Sequence, residues 1–194
     1  MDGAKSPEFD LERPTASTAA VLRAILLQPR AFYLNFDAKG PVREPLVFVL
    51  LVSAVSGVLS LVVNSIFAAV FGAGTNLFVV AVLNLAFVML SPVLVGMAAG
   101  VYLLCIRMFV SRGSDLREVY RMFAYAYGAM ILSWVPVVNA LAFTYAAMIL
   151  MMLGIQSVYR ASFLTALVTT LVGFVTVSVA FIYLLGMANG LASS

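Results

Sequence analysis

Few side chains in this sequence could perform acid–base, nucleophilic or metal chemistry. The chain has no histidine, a single cysteine (Cys105), and no Asp or Glu within residues 45–106 or beyond Glu118. Transition-metal sites need clusters of His, Cys and carboxylate ligands, and a divalent cation in phosphate chemistry needs carboxylates. Proton relays within membranes use the same residue types. The sequence therefore predicts no catalytic residue, no metal site and no cofactor.

The polar residues that remain in the apolar parts of the chain are neutral. Four of them are candidates for a polar path: Asn84, Ser91, Ser133 and Gln156. Asn84 and Ser91 are seven residues apart, so a helix places both on one face. One interpretation is hydrogen bonding between helices. The other is the lining of a path for a neutral solute, an ion or a lipid.

The composition indicates an integral membrane protein. Hydrophobic residues make up 64% of the 194-residue chain and charged residues 10%, and the mean hydropathy is +1.11. A typical soluble domain is about 45–50% apolar and about 25% charged. The formal net charge of +3 does not indicate nucleic-acid binding, because long stretches such as residues 45–106 and 161–194 carry no charge at all.

The hydrophobic stretches predict an all-α, polytopic membrane protein with five transmembrane helices. A spanning helix needs about 20 apolar residues. The expected spans are residues 45–71, 77–110, 116–134, 138–159 and 163–187. The second contains Pro92 and is long enough for one kinked helix or for two tightly folded pieces. Asp115 and Glu118 resemble a capping box at the start of the third. Residues 188–194 form a short C-terminal tail.

The positions of the basic residues predict the orientation in the membrane. Lysine and arginine are enriched on the cytosolic side. With five spans, all 11 basic residues lie on one side: Lys5, Arg13, Arg23, Arg30, Lys39, Arg43, Arg107, Arg112, Arg117, Arg121 and Arg160. The expected arrangement is a multi-pass protein of the cell inner membrane with a cytosolic N-terminus and an external C-terminus.

Two polar or amphipathic segments precede the first span. Residues 1–14 are a polar tail, whose string Ser6-Pro7-Glu8-Phe9 resembles a cloning-site remnant. Residues 15–44 combine apolar, aromatic and basic side chains and are too short to span. We expect this segment to lie in the plane of the lipid headgroups. A helix packed on a cytosolic partner is the alternative.

Two glycines and two prolines in the predicted helices are expected to affect how the helices pack. Gly96 and Gly100 are four residues apart, a pattern that lets another helix backbone approach closely. The pattern predicts packing within the chain or, alternatively, self-association into a homo-oligomer. Pro92 and Pro136 are the other expected packing positions, and the turn before residue 138 follows from Pro136.

Several segments resemble the YIP family (Ypt/Rab-interacting proteins). The residues that carry the resemblance are Arg112-Gly113-Ser114, Val119-Tyr120-Arg121-Met122-Phe123-Ala124-Tyr125, Val135-Pro136, the stretch from Tyr145 to Gly154, and a Pro29-x-x-Phe32-Tyr33 segment before the first span. The resemblance covers approximately residues 21–183. One departure is Ala129, where members often have a proline, so the third helix is expected to be straighter than usual.

The resemblance implies a function as well as a topology. It implies five spans, a cytosolic N-terminus and a non-enzymatic role in binding or organising other membrane components. Eukaryotic relatives act in vesicle traffic, but this chain lacks their long acidic N-terminus and looks prokaryotic in type. A protein partner in the membrane is therefore expected besides lipid. Its candidate contacts are Pro29, Phe32, Tyr33 and Phe36.

Overall fold

A computed structural model describes residues 6–71, 76–110 and 113–192, and these residues are helical apart from short connections. The expected turn at 72–75 and the loop residues 111–112 lie outside the described residues. The helices are α1 (Pro14–Leu27), α2 (Pro29–Leu34), α3 (Arg43–Phe71), α4 (Leu77–Phe109), α5 (Leu116–Ala126), α6 (Pro136–Thr144), α7 (Met151–Tyr159) and α8 (Phe163–Ala192). A 3₁₀ helix, Tyr127–Leu132, continues α5, and a π-helical stretch, Tyr145–Leu150, joins α6 to α7.

Within the part of the chain that the structure describes, four helical segments are long and apolar enough to cross a membrane. They are Arg43–Val70, Leu77–Phe109, Val137–Tyr159 and Phe163–Tyr183, which correspond to the first, second, fourth and fifth predicted spans. The all-α, polytopic fold is therefore confirmed. The second span is one continuous helix with Pro92 inside it, which settles the choice between one helix and two pieces.

The third predicted span differs from the other four. Its helix begins at Leu116 as predicted, but it changes to a 3₁₀ helix at Tyr127 and ends at Leu132. It is shorter and more polar than its neighbours. Because a 3₁₀ helix rises about 2.0 Å per residue instead of 1.5 Å, this segment still extends for roughly 28 Å, close to the hydrocarbon thickness.

The segment from α5 to the 3₁₀ helix runs antiparallel to the Val137–Tyr159 span along its whole length. At one end the hydroxyl of Tyr159 donates to Oε2 of Glu118 over 3.2 Å. At the other end the turn at residues 133–135 joins the two. We call this second end the hairpin end. The opposite end, which holds the start of α5, the Asp37–Pro41 turn and Arg160, is called the basic end.

The core of the bundle surrounds α5. All eight residues from Val119 to Ala126 are buried. The long helices pack around them and leave large apolar side chains such as Val58, Leu85 and Val175 exposed on the outside. This inside-out pattern is that of a membrane protein, because apolar side chains on the periphery face lipid instead of water.

The N-terminal segment packs on the bundle more closely than its sequence predicts. α2 packs against α7, and Phe9 of the preceding tail is buried with its ring centroid 6.0 Å from that of Phe48. The hydroxyl of Ser6 donates to the carbonyl of Phe32 over 2.5 Å. Residues 6–9 are therefore part of the folded structure.

Candidate functional sites

The most polar site in the structure is a buried arginine at the basic end. The side chain of Arg121 on α5 is fully buried. Its Nε donates to the carbonyl of Asp37 over 3.1 Å, and its Nη1 donates to the carbonyl of Pro41. Its Nη2 donates to Oε2 of Glu8 over 3.0 Å, which also makes an ion pair. The guanidinium thus ties α5 to both the Asp37–Pro41 turn and the N-terminal tail.

The same turn is held at a second point one helical turn earlier. Nε of Arg117 donates to the carbonyl of Gly40 over 2.9 Å. Because Arg117 and Arg121 are four residues apart, they lie on one face of α5 and contact the turn together. Gly40 fits because it has no side chain: a Cβ there would lie 2.5 Å from Nη2 of Arg121.

The predicted capping box takes a different form. Asp115 is the N-cap residue of α5, but its side chain makes no capping hydrogen bond. Glu118 accepts the hydrogen bond from Tyr159 instead. This carboxylate therefore joins two helices at the basic end and does not cap its own helix.

Aromatic rings surround the buried arginine. The guanidinium carbon of Arg121 lies 5.6 Å from the ring centroid of Phe36 and 5.9 Å from that of Tyr125, within the range of cation–π attraction. Phe32 meets Tyr125 edge to face with a centroid separation of 5.8 Å. Tyr33 donates to the carbonyl of Met122 over 3.2 Å. Burial raises the pKa of the Tyr33 hydroxyl, and the charge of a nearby Tyr145 adds to the effect. The hydroxyl therefore stays protonated and can donate this hydrogen bond.

The four residues predicted to contact a partner differ in how far their side chains are exposed on the surface. Phe32 and Tyr33 are only 2% and 1% exposed, because the chain's own helices cover them. Pro29 and Phe36 are partly exposed. Direct contact between Phe32 or Tyr33 and a partner does not fit this structure. A partner role for Pro29 and Phe36 stays a prediction.

An open pocket of about 480 Å³ lies beside this cluster at the basic end. Three parts of the chain form it: the segment after α2, the start of α5 and the end of α7. Its lining includes acidic and basic groups, namely Asp37, Glu118, Lys39 and Arg160, together with Leu34 and Ser157. Leu34 is 64% exposed there. Sequence reasoning missed this pocket, since its residues come from segments that only the fold brings together.

A second cavity, of about 430 Å³, lies between the long helices. Asn84 and Ser133, two of the four predicted path residues, line it. Ser91 does not: it is buried, and its hydroxyl donates to the carbonyl of Val88 over 2.8 Å. Gln156 is not among the lining residues either. Two of the four predicted path residues therefore share one cavity, and the path itself stays a prediction.

Other polar residues of this cavity were not among the predicted path residues. Ser53 and Tyr127 line it with their hydroxyl oxygens 3.0 Å apart. Ser56 lines it and donates to the carbonyl of Met130 over 2.8 Å. Asn139 lies at the hairpin end of the cavity. Ser53 and Ser56 look like ordinary packing serines in the sequence, because each is surrounded by apolar residues.

Comparison with known protein families agrees with this arrangement. The family model described as the Yip1 domain matches residues 23–186, which is most of the chain. The chain belongs to the Yip1 family. No curated protein and no solved structure matches it. The resemblance seen in the sequence over residues 21–183 is therefore confirmed.

The glycine pair predicted to pack tightly does not do so within this Yip1 domain. A Cβ on Gly100 would meet nothing within 4 Å, and one on Gly96 would meet the ring of Tyr120 only at 3.8 Å. Neither position brings the backbone of another helix within 4 Å of such a Cβ. Self-association through them stays a prediction.

Besides Gly40, two glycines that the sequence did not mark as packing sites face large rings at close range. A Cβ on Gly173 would lie 2.9 Å from Cε1 of Tyr102, and one on Gly154 would lie 3.3 Å from Cε1 of Tyr33. Both tyrosines are buried. Single glycines that face a large ring leave no small-xxx-small pattern, so only the structure reveals them. The two predicted prolines have other roles: Pro92 lies inside α4, and Pro136 begins α6.

Among the described residues of the Yip1 domain, no group of three or more His, Cys, Asp and Glu side chains could hold a metal ion. The buried ion pair of Glu8 and Arg121 is surrounded by aromatic rings and backbone carbonyls. The arrangement can position chain segments and present a surface, and these are binding properties.

Proposed function

We propose that this Yip1-family membrane protein is a non-enzymatic partner-binding or accessory subunit that recruits a membrane protein through its basic end. The observation that carries the proposal is the open pocket beside Arg121. Its walls come from three separated segments, and the Arg121 hydrogen bonds hold one of them in place. A preorganised concave surface binds a partner at a lower entropic cost than a loose one.

The charges of the pocket suit a protein partner better than a lipid surface. Lys39 and Arg160 line the pocket together with Glu118 and Asp37, so the pocket carries charges of both signs. A surface that only contacts anionic headgroups needs basic side chains alone. Mixed charges around an exposed apolar residue, Leu34, fit an interface with a polar rim and an apolar centre.

The proposed location is the cell inner membrane, with the basic end in the cytosol. The described basic residues of the bundle's loops, including Lys39, Arg117 and Arg160, lie at this end, which supports the orientation. α5 and its 3₁₀ extension then form the third of five crossings, and the C-terminus is external.

Site-specific photocrosslinking in native membranes tests the proposal. A photoreactive residue at Leu34 or Lys39 should give a discrete adduct with one partner, whereas one at the lipid-facing Leu85 should give none. Lys39→Glu should reduce recovery of that partner, whereas Arg23→Glu, an equal charge change on the exposed face of α1, should not. If Leu34 and Lys39 give no adduct beyond the Leu85 background, the basic end is not a partner site.

A small channel or transporter for a neutral solute, an ion or a lipid is the second candidate. The cavity lined by Asn84 and Ser133 favours it. Ser91 and Gln156 lie off this cavity, which leaves the path without the residues that would continue it toward the basic end. Solute flux in liposomes that contain the purified protein would support this candidate, and partner recovery without flux would support the first.

A further inference from the structure

The cavity between the long helices has a mostly apolar lining with a small number of neutral polar groups. The described side chains that line it carry no charge. Apolar residues such as Val95, Ala98 and Phe123 form most of the wall. Cavities of about 300–1,000 Å³ with apolar walls and a few placed polar groups are typical ligand sites.

The polar groups of the cavity fall into two sets. Ser53 and Ser56 are satisfied within the protein, since Ser53 pairs with Tyr127 and Ser56 bonds to Met130. Asn84, Ser133 and Asn139 have hydrogen-bonding capacity to spare. The amide nitrogen of Asn84 donates to the carbonyl of Val80 over 3.0 Å, which leaves its oxygen as an acceptor that faces Gly57.

Ser133 and Asn139 are the polar residues at the opening of the cavity, which we call its mouth. Ser133 is partly exposed, Asn139 is exposed, and both border the cavity beside the turn that ends the bundle. Hydroxyl and amide groups without charge suit ester carbonyls and hydroxyls, and they offer no counter-ion for a phosphate. The mouth therefore matches the neutral backbone of a glycerolipid.

The shape of the cavity matches an elongated apolar ligand. On α4 its lining runs from Asn84 to Val101, a separation of seventeen residues and roughly 25 Å of helix. The side chains on the outer faces of α3, α4 and α8 are large and apolar, so lipid is the solvent from which a ligand enters. The cavity is long, uncharged and mostly apolar, and it is surrounded by lipid. An alkyl chain has the matching shape and polarity.

We propose that this cavity binds one acyl chain of a membrane glycerolipid, with the ester group at Asn84, Ser133 and Asn139 and the chain along Val95, Ala98 and Phe123. The site lies toward the hairpin end, away from the pocket proposed for a protein partner. The two proposals stand or fall separately, because one concerns an acyl chain between the helices and the other a protein at the basic end.

Photolabelling with a defined lipid tests the acyl-chain site. The purified protein is placed in phosphatidylcholine nanodiscs that contain a phosphatidylcholine with a diazirine near the end of one acyl chain. After irradiation, mass spectrometry should find adducts at Val101 and Phe123, inside the cavity. Adducts confined to outward-facing residues such as Leu85 and Val175 would overturn the proposal.

Matched variants separate occupancy from general lipid contact. Ala98→Leu fills the cavity and should reduce the Phe123 adduct to the level of the outer faces. Ala86→Leu adds the same volume to the exposed side of α4 and should leave it unchanged. If Ala98→Leu does not fold, Ala180→Leu, at the edge of the cavity on α8, is the alternative cavity-filling variant. Unchanged labelling in a folded cavity-filling variant would count against the site.

The same protein distinguishes an acyl chain from an aqueous path. In a Cys105→Ala background, a cysteine at Asn139 should react with a membrane-impermeant thiol reagent, and a cysteine at Ser53 should not, because an acyl chain excludes water there. Equal reaction at both positions would mean that the cavity is water-filled and would overturn the proposal.

Discussion

The guanidinium of Arg121 occupies the space that any side chain at Gly40 would need. A Cβ at position 40 would lie 2.5 Å from Nη2 and 2.6 Å from Cζ of Arg121. A long side chain can often move aside, but this one is fully buried and donates to Asp37, Pro41 and Glu8. The contact therefore couples the turn before α3 to the centre of α5.

Gly40→Ala should destabilise the protein. The added methyl group forces the guanidinium away from its acceptors, and overpacking of this kind typically costs about 1–3 kcal/mol. Thermal unfolding in mild detergent measures the effect. Gly100→Ala is the control, because its Cβ meets nothing within 4 Å and its melting temperature should be unchanged or higher. Equal stability of the two variants would show that Arg121 is free to move.

Glu8→Gln should also destabilise the protein. The Glu8 side chain is only 17% exposed and its partner Arg121 is 0% exposed, so solvent screens the ion pair weakly. Loss of a hydrogen bond between charged groups typically costs about 1.5–3 kcal/mol. Glu12→Gln removes an exposed carboxylate from the same tail and should leave the melting temperature unchanged. Identical melting of both variants would mean that the tail does not dock on α5.

Gly173→Ala should be destabilising only while Tyr102 is present. The new Cβ would lie 2.9 Å from Cε1 of that buried ring, whose hydroxyl donates to the carbonyl of Ala147. In a Tyr102→Leu background the ring is gone, and the same substitution should cost little. The double-mutant cycle should therefore give a clear interaction energy. Gly96→Ala is the control and should leave the stability unchanged. If the stability losses of the two single variants simply add in the double variant, the strain does not arise between Gly173 and Tyr102.

Single cysteines in a Cys105→Ala background test the direction of each crossing. Cysteines at Lys39 and Asp115 should react with impermeant reagents only from the cytosolic side, and one at Asn139 only from outside. Asp115 is preferred to Ser114, which is buried. External labelling at Asp115 would mean that the basic residues do not share one side of the membrane.

The helices that contact lipid were the predictable part of the fold. Their apolar stretches are long enough to mark residues 45–71 and 163–187 as spans without further information. The start of α8 carries a local signal of the same kind, since the hydroxyl of Ser162 accepts a hydrogen bond from the backbone nitrogen of Thr165 over 3.2 Å. Such signals are local, so the sequence carries them directly.

The interior was harder to predict because it depends on contacts between distant residues. Ala129 led to the expectation of a straight third helix, yet α5 becomes a 3₁₀ helix two residues earlier, at Tyr127. There Ser56 of α3 donates to the carbonyl of Met130, which is a contact across the bundle. The partners of Arg121 are likewise distant, since Glu8 precedes it by 113 residues. No periodicity in the sequence encodes such pairs.

The burial of α5 has a consequence for how the protein is made. A nascent helix that carries Arg117, Glu118 and Arg121 in its first two turns is less apolar than its neighbours and enters lipid less readily alone, because charged side chains disfavour insertion. Its antiparallel neighbour, Val137–Tyr159, is apolar and follows directly in the chain. We therefore expect α5 to be retained in the membrane together with this neighbour, to which the hydrogen bond from Tyr159 to Glu118 joins its start.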